Sequence, residues 1–335
     1  MEAISNSHNL LTEPTSIALV EAIKRTSVTI AWDRPMRRPW LGTPALRRSD
    51  ANTTPEIPGN PAIASLTTTY VRQGTGDAPI LLLHGFDSSV MEFRRLLPLL
   101  APHRETWAVD LLGFGFTERS PHVPITPATI DTHLFAFWQQ SIGKPVILVG
   151  ASMGGAAAIA FALAHPEAVQ QLVLLDSAGY SVGPSMGRLV IQPVGQLATQ
   201  FLRSPKVRQN IAVKAYYNPE LASADAATCA ALHLREPGWQ QALISFTQCG
   251  GYRSCKQQLA QLSLPTLILW GKQDRILGTA DAAKFQRAIA NSQLIWVDEC
   301  GHVPHLEQPQ QTADHILAFI QTLAPQSSTS QPSNL

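Results

Sequence analysis

The sequence predicts an α/β fold with a mostly parallel central sheet flanked by helices. Two observations carry that expectation. Short apolar runs alternate with helical segments along most of the chain. The runs are also unbroken rather than alternating polar and apolar, which is how strands read when helices cover both faces of a parallel sheet.

The strand candidates, in order, are TTTYVRQ, PILLLHG, ETWAVD, PVILVG, QLVLLD, PTLILWG and QLIWVD. Helical stretches follow or separate them at Met91–Leu100, Pro127–Ser141, Met153–Ala164, Ala280–Ala290 and Gln308–Leu323. Repeated βα units of this kind produce a doubly wound sheet. Residues 179–262 break the rhythm. They contain no convincing strand and read as helices at Met186–Leu202, Val207–Tyr216, Ser223–Arg235 and Trp239–Thr247. We expect a helical cap there, inserted between the sixth and seventh strands of the fold, which are the fifth and sixth runs above (QLVLLD and PTLILWG), in a core formed by residues 61–178 and 263–324. Residues 1–60 read as an N-terminal extension and linker, with one helix candidate at 15–25 followed by proline-rich, arginine-dotted sequence. The polar tail PQSSTSQPSNL, residues 325–335, is expected to be disordered.

Composition narrows the function classes. The chain has 335 residues and is 45% hydrophobic, which suits a large core. A net charge of +1 removes the electrostatic case for nucleic acid. Charged residues make up 15%, against roughly 25% in an average domain, which points to a large core with an apolar surface or pocket. Cys229, Cys249, Cys255 and Cys300 form no CxxC pair, so neither a zinc site nor a redox motif is indicated, and a reducing compartment is expected. No apolar run approaches the roughly 20 residues of a membrane span, and the N-terminus lacks the pattern of a secretory signal. The expectation is a cytoplasmic protein. Arg34, Arg37, Arg38, Arg47 and Arg48 form either a solvated linker or a peripheral contact with an anionic membrane.

The chemistry-bearing residues begin with GASMG, residues 150–154, a G-x-S-x-G motif between a buried strand and a helix. That context suits a nucleophile held in a sharp, strained turn, with Ser152 projecting above the sheet and Gly150 and Gly154 relieving collisions. A serine hydroxyl needs a base. His302 follows the last strand candidate, where loops gather at the sheet's carboxyl edge. The base needs a carboxylate to orient it. Asp274, after PTLILWG, is favoured over its rival Asp176 at the end of QLVLLD. The order Ser152, Asp274, His302 then suits acyl transfer on this scaffold. Oxyanion donors are expected from the Met153 N–H at the helix start and the Phe86 N–H in HGF. His84 reads as a structural brace of that loop. His305 lies three residues after His302, but the intervening Val303-Pro304 and the lack of a third ligand argue against a metal pair. VDLLGFGFTERS lacks the third glycine and the helix of a dinucleotide site. Neither a metal nor a cofactor is expected.

Taken together, HGF, GASMGG, the aspartate after WGKQ and CGH resemble the α/β-hydrolase fold family over roughly residues 65–324. The resemblance implies a Ser–Asp–His triad and a helical cap. More narrowly, HGFDSSVMEFRRLLPLL, ETWAVDLLGFGF and FTQCGGY are similar to chlorophyll dephytylase-type hydrolases of plastids and cyanobacteria. That implies hydrolysis of the phytyl ester of chlorophyll to chlorophyllide and phytol. Glu2 and Glu13 argue against a plastid transit peptide, so a bacterial, cyanobacterial source is expected. Three other readings remain open: a carbon–carbon bond hydrolase, a cofactor-free haloperoxidase, and a non-catalytic ligand receptor that keeps an idle triad. Epoxide hydrolases and haloalkane dehalogenases use an aspartate where this chain has Ser152.

Overall fold

The computed structural model describes residues 10–32, 61–181 and 192–321. Eight strands form one sheet in the order β1-β2-β4-β3-β5-β6-β7-β8. They are β1 (Ile23–Trp32), β2 (Ala62–Gln73), β3 (Ile80–Leu83), β4 (Thr106–Val109), β5 (Val146–Ala151), β6 (Val169–Leu175), β7 (Thr266–Gly271) and β8 (Ser292–Val297). The β1–β2 and β2–β4 pairs are antiparallel, and every other pair is parallel.

The apolar runs become strands because both faces of the central sheet are covered. Successive residues enter opposite cores. Leu81, Leu83, Val146, Leu148, Ile268 and Trp270 pack on one side. Ile80, Leu82, Ile147, Val149, Leu267 and Leu269 pack on the other. Helix α1 (Pro14–Glu21) buries Leu19 and Val20 in the second core. α2 (Pro127–Phe137) starts at a capping box between Thr126 and Thr129. α3 (Met153–Ala164) is buried along most of its length, and its glycines and alanines let it lie close to the sheet. α8 (Ala282–Ala288) and α9 (Pro309–Gln321) complete the layers.

The expected cap lies between β6 and β7. It contains α4 (Gln192–Arg203), α5 (Pro205–Ala215), α6 (Ala224–Ala231), a 3-10 turn at Leu232–Arg235, and α7 (Trp239–Gln248). Positions 186–191 of the first expected cap helix lie outside the described residues, as do the linker at 33–60 and the tail.

One part of the sequence division is corrected. Residues 23–32, set apart with the extension, form edge strand β1, which pairs with β2 from Ile23↔Val71 to Trp32↔Ala62. Only Val28, Ile30 and Trp32 of this strand are buried, at alternate positions. Its other face meets solvent, so it carries no apolar run. The expected helix at 15–25 correspondingly ends at Glu21. Met91–Leu100 is a 3-10 turn at Val90–Phe93 and a short helix at Leu97–Leu100 rather than one helix, and Pro98 stands at the start of the second piece. Among the described residues, no helix is long and apolar enough to cross a membrane.

Candidate active site

Five loops leave the carboxyl ends of parallel strands and bring the candidate residues to one edge of the sheet, where α/β folds place their ligands. Gly85–Asp87 follow β3, Ser152 follows β5, Asp176 follows β6, Asp274 follows β7, and His302 follows β8.

Ser152 sits in the turn between β5 and α3 with φ 52° and ψ −118°. An L-residue rarely adopts a positive φ, and such strain persists only where the surroundings over-determine it. Here Ser152 N–H donates to Leu175 O at 2.9 Å, and Ser152 O accepts from Gly155 N and Ala178 N, each at 2.9 Å. The glycines make this crowding tolerable. A Cβ at Gly150 would strike the Gly154 carbonyl, and one at Gly154 would strike the Leu83 and His84 carbonyls.

His302 Nδ1–H donates to Asp274 Oδ2 at 2.9 Å, which leaves the Nε2 lone pair available as a base. The second Asp274 oxygen accepts from Ile276 N at 2.7 Å and Leu277 N at 3.0 Å. Burial alone would push the Asp274 carboxyl up. The hydrogen bond from His302 and those from the two N–H groups outweigh it and hold this carboxyl below its ordinary value. The rival Asp176 is fully buried, with Oδ1 accepting from Gly271 N at 3.0 Å. Burial, followed by the nearby Asp274 charge, raises its carboxyl well above the ordinary range. Asp274 is thus the carboxyl that partners His302, and Asp176 stands behind it with its own carboxyl raised by burial. Ligand atoms of Asp176, Asp274 and His302 lie within 4.8 Å of one another. His302 Nδ1 is engaged by Asp274 and burial opposes a charge on Asp176, which makes that trio a poor cation cage.

Ser152, His302 and Phe86 line one cavity of about 410 Å³, whose wall is mainly apolar, with Met91, Leu202, Ile211 and Leu306 among its residues. Met153 opens α3, and the first N–H groups of a helix have no partner within it. Across the cavity, His84 braces the HGF loop. Its Nδ1–H donates to Gly85 O at 2.8 Å, and its Nε2 accepts from Leu111 N at 3.1 Å. Burial lowers this imidazole to about 4, so the ring stays neutral, as those two bonds require.

The spatial arrangement adds residues that sequence spacing did not reveal. Glu92 Oε2 accepts from Gly85 N at 2.9 Å, and Glu92 Oε1 lies 3.1 Å from His305 Nε2. His305 therefore turns to Glu92, away from the His302–Asp274 pair. Asp87 holds three donors from the cap: Arg208, His233 and Trp239. Its position directly after Phe86 was the one available signal.

A family model described as "Alpha/beta hydrolase family" matches residues 80–315. The chain belongs to this family. It is 34% identical to "Alpha/beta hydrolase domain-containing protein VTE7" of Arabidopsis thaliana over 74% of this α/β hydrolase and 74% of that protein. It is 30% identical to a 2-hydroxy-6-oxo-2,4-heptadienoate hydrolase of Pseudomonas putida, over 70% of this chain and 86% of the relative. Among solved structures, this α/β hydrolase is similar to a membrane phospholipase A with a TM-score of 0.63 and 25% identity, covering 77% of this chain and 83% of the other.

Proposed function

We propose that this α/β hydrolase is a serine hydrolase that cleaves the carboxylic ester of a bulky hydrophobic substrate, with the phytyl ester of chlorophyll as its substrate. The observation that carries the reading is the 2.9 Å bond from His302 to Asp274, beside a cavity that Ser152 and His302 both line.

Ser152 Oγ attacks the ester carbonyl while His302 Nε2 takes its proton. Asp274 holds the imidazole in the required tautomer and stabilises the imidazolium. Phe86 N–H and Met153 N–H hold the oxyanion of the tetrahedral intermediate. The intermediate collapses as His302 returns the proton to the departing alcohol. Water, deprotonated by His302, then releases the acid from the acyl-enzyme. No step requires a metal or cofactor.

The cavity supports the substrate class. About 410 Å³ matches one drug-sized ligand or one arm of something larger. An isoprenoid chain gains roughly 0.8 kcal/mol per buried methylene there. The remainder of a chlorophyll-sized substrate would rest among the exposed Phe86, Ile211 and Ile276. A second reading follows from the dienoate hydrolase relative: the same triad cleaving a carbon–carbon bond in a vinylogous diketone.

The test is incubation with chlorophyll a, with chlorophyllide resolved by chromatography and Ser152→Ala as control. Chlorophyllide from the wild type and none from the variant is the expected result. A wild-type enzyme that leaves chlorophyll and long-chain esters intact but bleaches a coloured dienone would favour the second reading. Full turnover by Ser152→Ala would sink the serine mechanism altogether.

A further inference from the structure

The Gly85–Phe86 peptide unit is held from two sides. On the core side its carbonyl, Gly85 O, accepts from His84, and the N–H of the preceding peptide, at Gly85, donates to Glu92. In a trans peptide the carbonyl and the following N–H point in opposite directions. By holding Gly85 O at 2.8 Å, His84 therefore turns Phe86 N–H the other way.

On the cap side the holding group is Asp87. Its backbone is left-handed, with φ 50°, in a residue that is not glycine. Its carboxylate is buried, with about 10% of the side chain exposed. Oδ2 accepts from Arg208 Nη1 at 2.7 Å. Oδ1 accepts from Trp239 Nε1 at 2.7 Å and from His233 Nε2 at 3.1 Å. Arg208 belongs to α5, His233 to the 3-10 turn, and Trp239 opens α7, so three separate pieces of the cap converge on this carboxylate. Arg208 also bonds Ala230 O at 2.6 Å and so links α5 to α6. His233 is buried with Nδ1 unpartnered, which suits a neutral ring carrying its proton on Nε2. Burial works against the Asp87 charge, but His233, Arg208 and Trp239 together hold the carboxyl at about 2, so it is ionised at every working pH.

We propose that Asp87 is a positioning residue that ties the cap to the oxyanion loop, so that Phe86 N–H is aimed at the reacting carbonyl only while the cap is seated. The inference rests on the reading of Phe86 N–H as an oxyanion donor. Asp87 itself touches no reacting atom. It converts the position of the cap, which encloses the substrate, into the geometry of the donor next to it in sequence.

The experiment compares Asp87→Asn and Asp87→Ala with wild type on two esters, a short acetyl ester that needs little of the cap and a long-chain ester that fills the cavity. If Asp87 aims the donor, kcat falls by about 10- to 100-fold on both esters with KM nearly unchanged on the acetyl ester, since losing a whole oxyanion donor costs about 10²–10³. The rate at which a fluorophosphonate probe labels Ser152 falls in parallel, and Asn retains more activity than Ala. An acetyl-ester kcat within twofold of wild type, with only the long-chain KM raised, would overturn the proposal and leave Asp87 a mere fastener of the cap. Should Asp87→Ala not fold, Asp87→Asn and Trp239→Phe carry the same comparison. Trp239→Phe removes one donor and keeps an aromatic ring, and it is expected to lower kcat on both esters about threefold. Failure of the serine mechanism itself reads out separately, as activity surviving in Ser152→Ala.

Discussion

The core and the cap of this molecule are built on different physical terms. In the core, β3, β5 and β7 are buried at every position, and α3 is buried for most of its length. In the cap, α5 has no buried residue, and Leu197 and Phe201 of α4 are 67% and 64% exposed. Apolar burial therefore fixes the core everywhere and also seats α7 on it through Trp239, Leu243 and Phe246, while α5 is attached at particular points. Asp87 is one. Glu307, whose carboxylate accepts from Tyr217 N at 2.9 Å and Asn218 N at 2.7 Å, is another. A region held by area keeps the chemistry in register, and one held by a few hooks can change shape without disturbing it. Reaction type should thus depend on the core and substrate choice on the cap.

The largest effect expected from breaking that division lies in the core carboxyl pair. Asp274→Asn should lower kcat by about 10⁴, because Asn presents the wrong group to His302 Nδ1 and selects the wrong tautomer. Asp176→Asn should cost less than about tenfold, because Asp274 and not Asp176 holds the histidine. Steady-state kinetics on one short ester decides the matter. Equal losses in the two variants, or a large loss only in Asp176→Asn, would move the acid from β7 to β6.

A matched pair of glycines tests the same contrast through stability. Gly154→Ala drives a methyl group into the Leu83 and His84 carbonyls, rigid backbone that cannot yield. Overpacking of that kind costs about 1–3 kcal/mol or more, and it should also lower activity because Ser152 lies two residues away. Gly250, at the end of the cap's α7, has φ 88° and open space where its Cβ would lie. Gly250→Ala should cost only the left-handed strain, about 1–2 kcal/mol, with activity on a short ester unchanged. Urea unfolding with parallel esterase assays measures both. A larger stability loss at Gly250 than at Gly154 would contradict the picture of a rigid core and a pinned cap.

The same division explains what could be read before the fold was known. Runs such as PVILVG and PTLILWG are legible because two-sided burial demands unbroken apolar sequence. Edge strand β1 needs only Val28, Ile30 and Trp32, and Lys24, Arg25, Ser27 and Thr29 hide that alternation among polar residues. The placement of Ser152, Asp274 and His302 at one edge of the sheet is legible because each follows a recognisable strand. Asp87 is a different case. Its partners lie 121, 146 and 152 positions away, on helices whose placement no local pattern dictates. Glu92 and His305, 213 positions apart by number, meet only because the loop after β8 folds back over the 3-10 turn at Val90–Phe93. Residues defined by a strand end could be found in advance, whereas residues defined by a distant partner could not.

The smallest expected effect lies in the cap wall. Ile211 lines the cavity from α5 and is 45% exposed, so its side chain is only partly committed to packing. Ile211→Ala removes methylenes that a long acyl or isoprenyl chain would touch, each worth roughly 0.8 kcal/mol when fully buried and less here. The expected result is a KM for long-chain esters raised about three- to tenfold, with kcat and the acetyl-ester kinetics unchanged. Removing contact made equally in ground and transition states weakens binding without touching the chemical step. A loss of kcat on the acetyl ester would mean that a cap residue reaches into the chemistry without passing through Asp87, and the separation between the two regions would fail at that point.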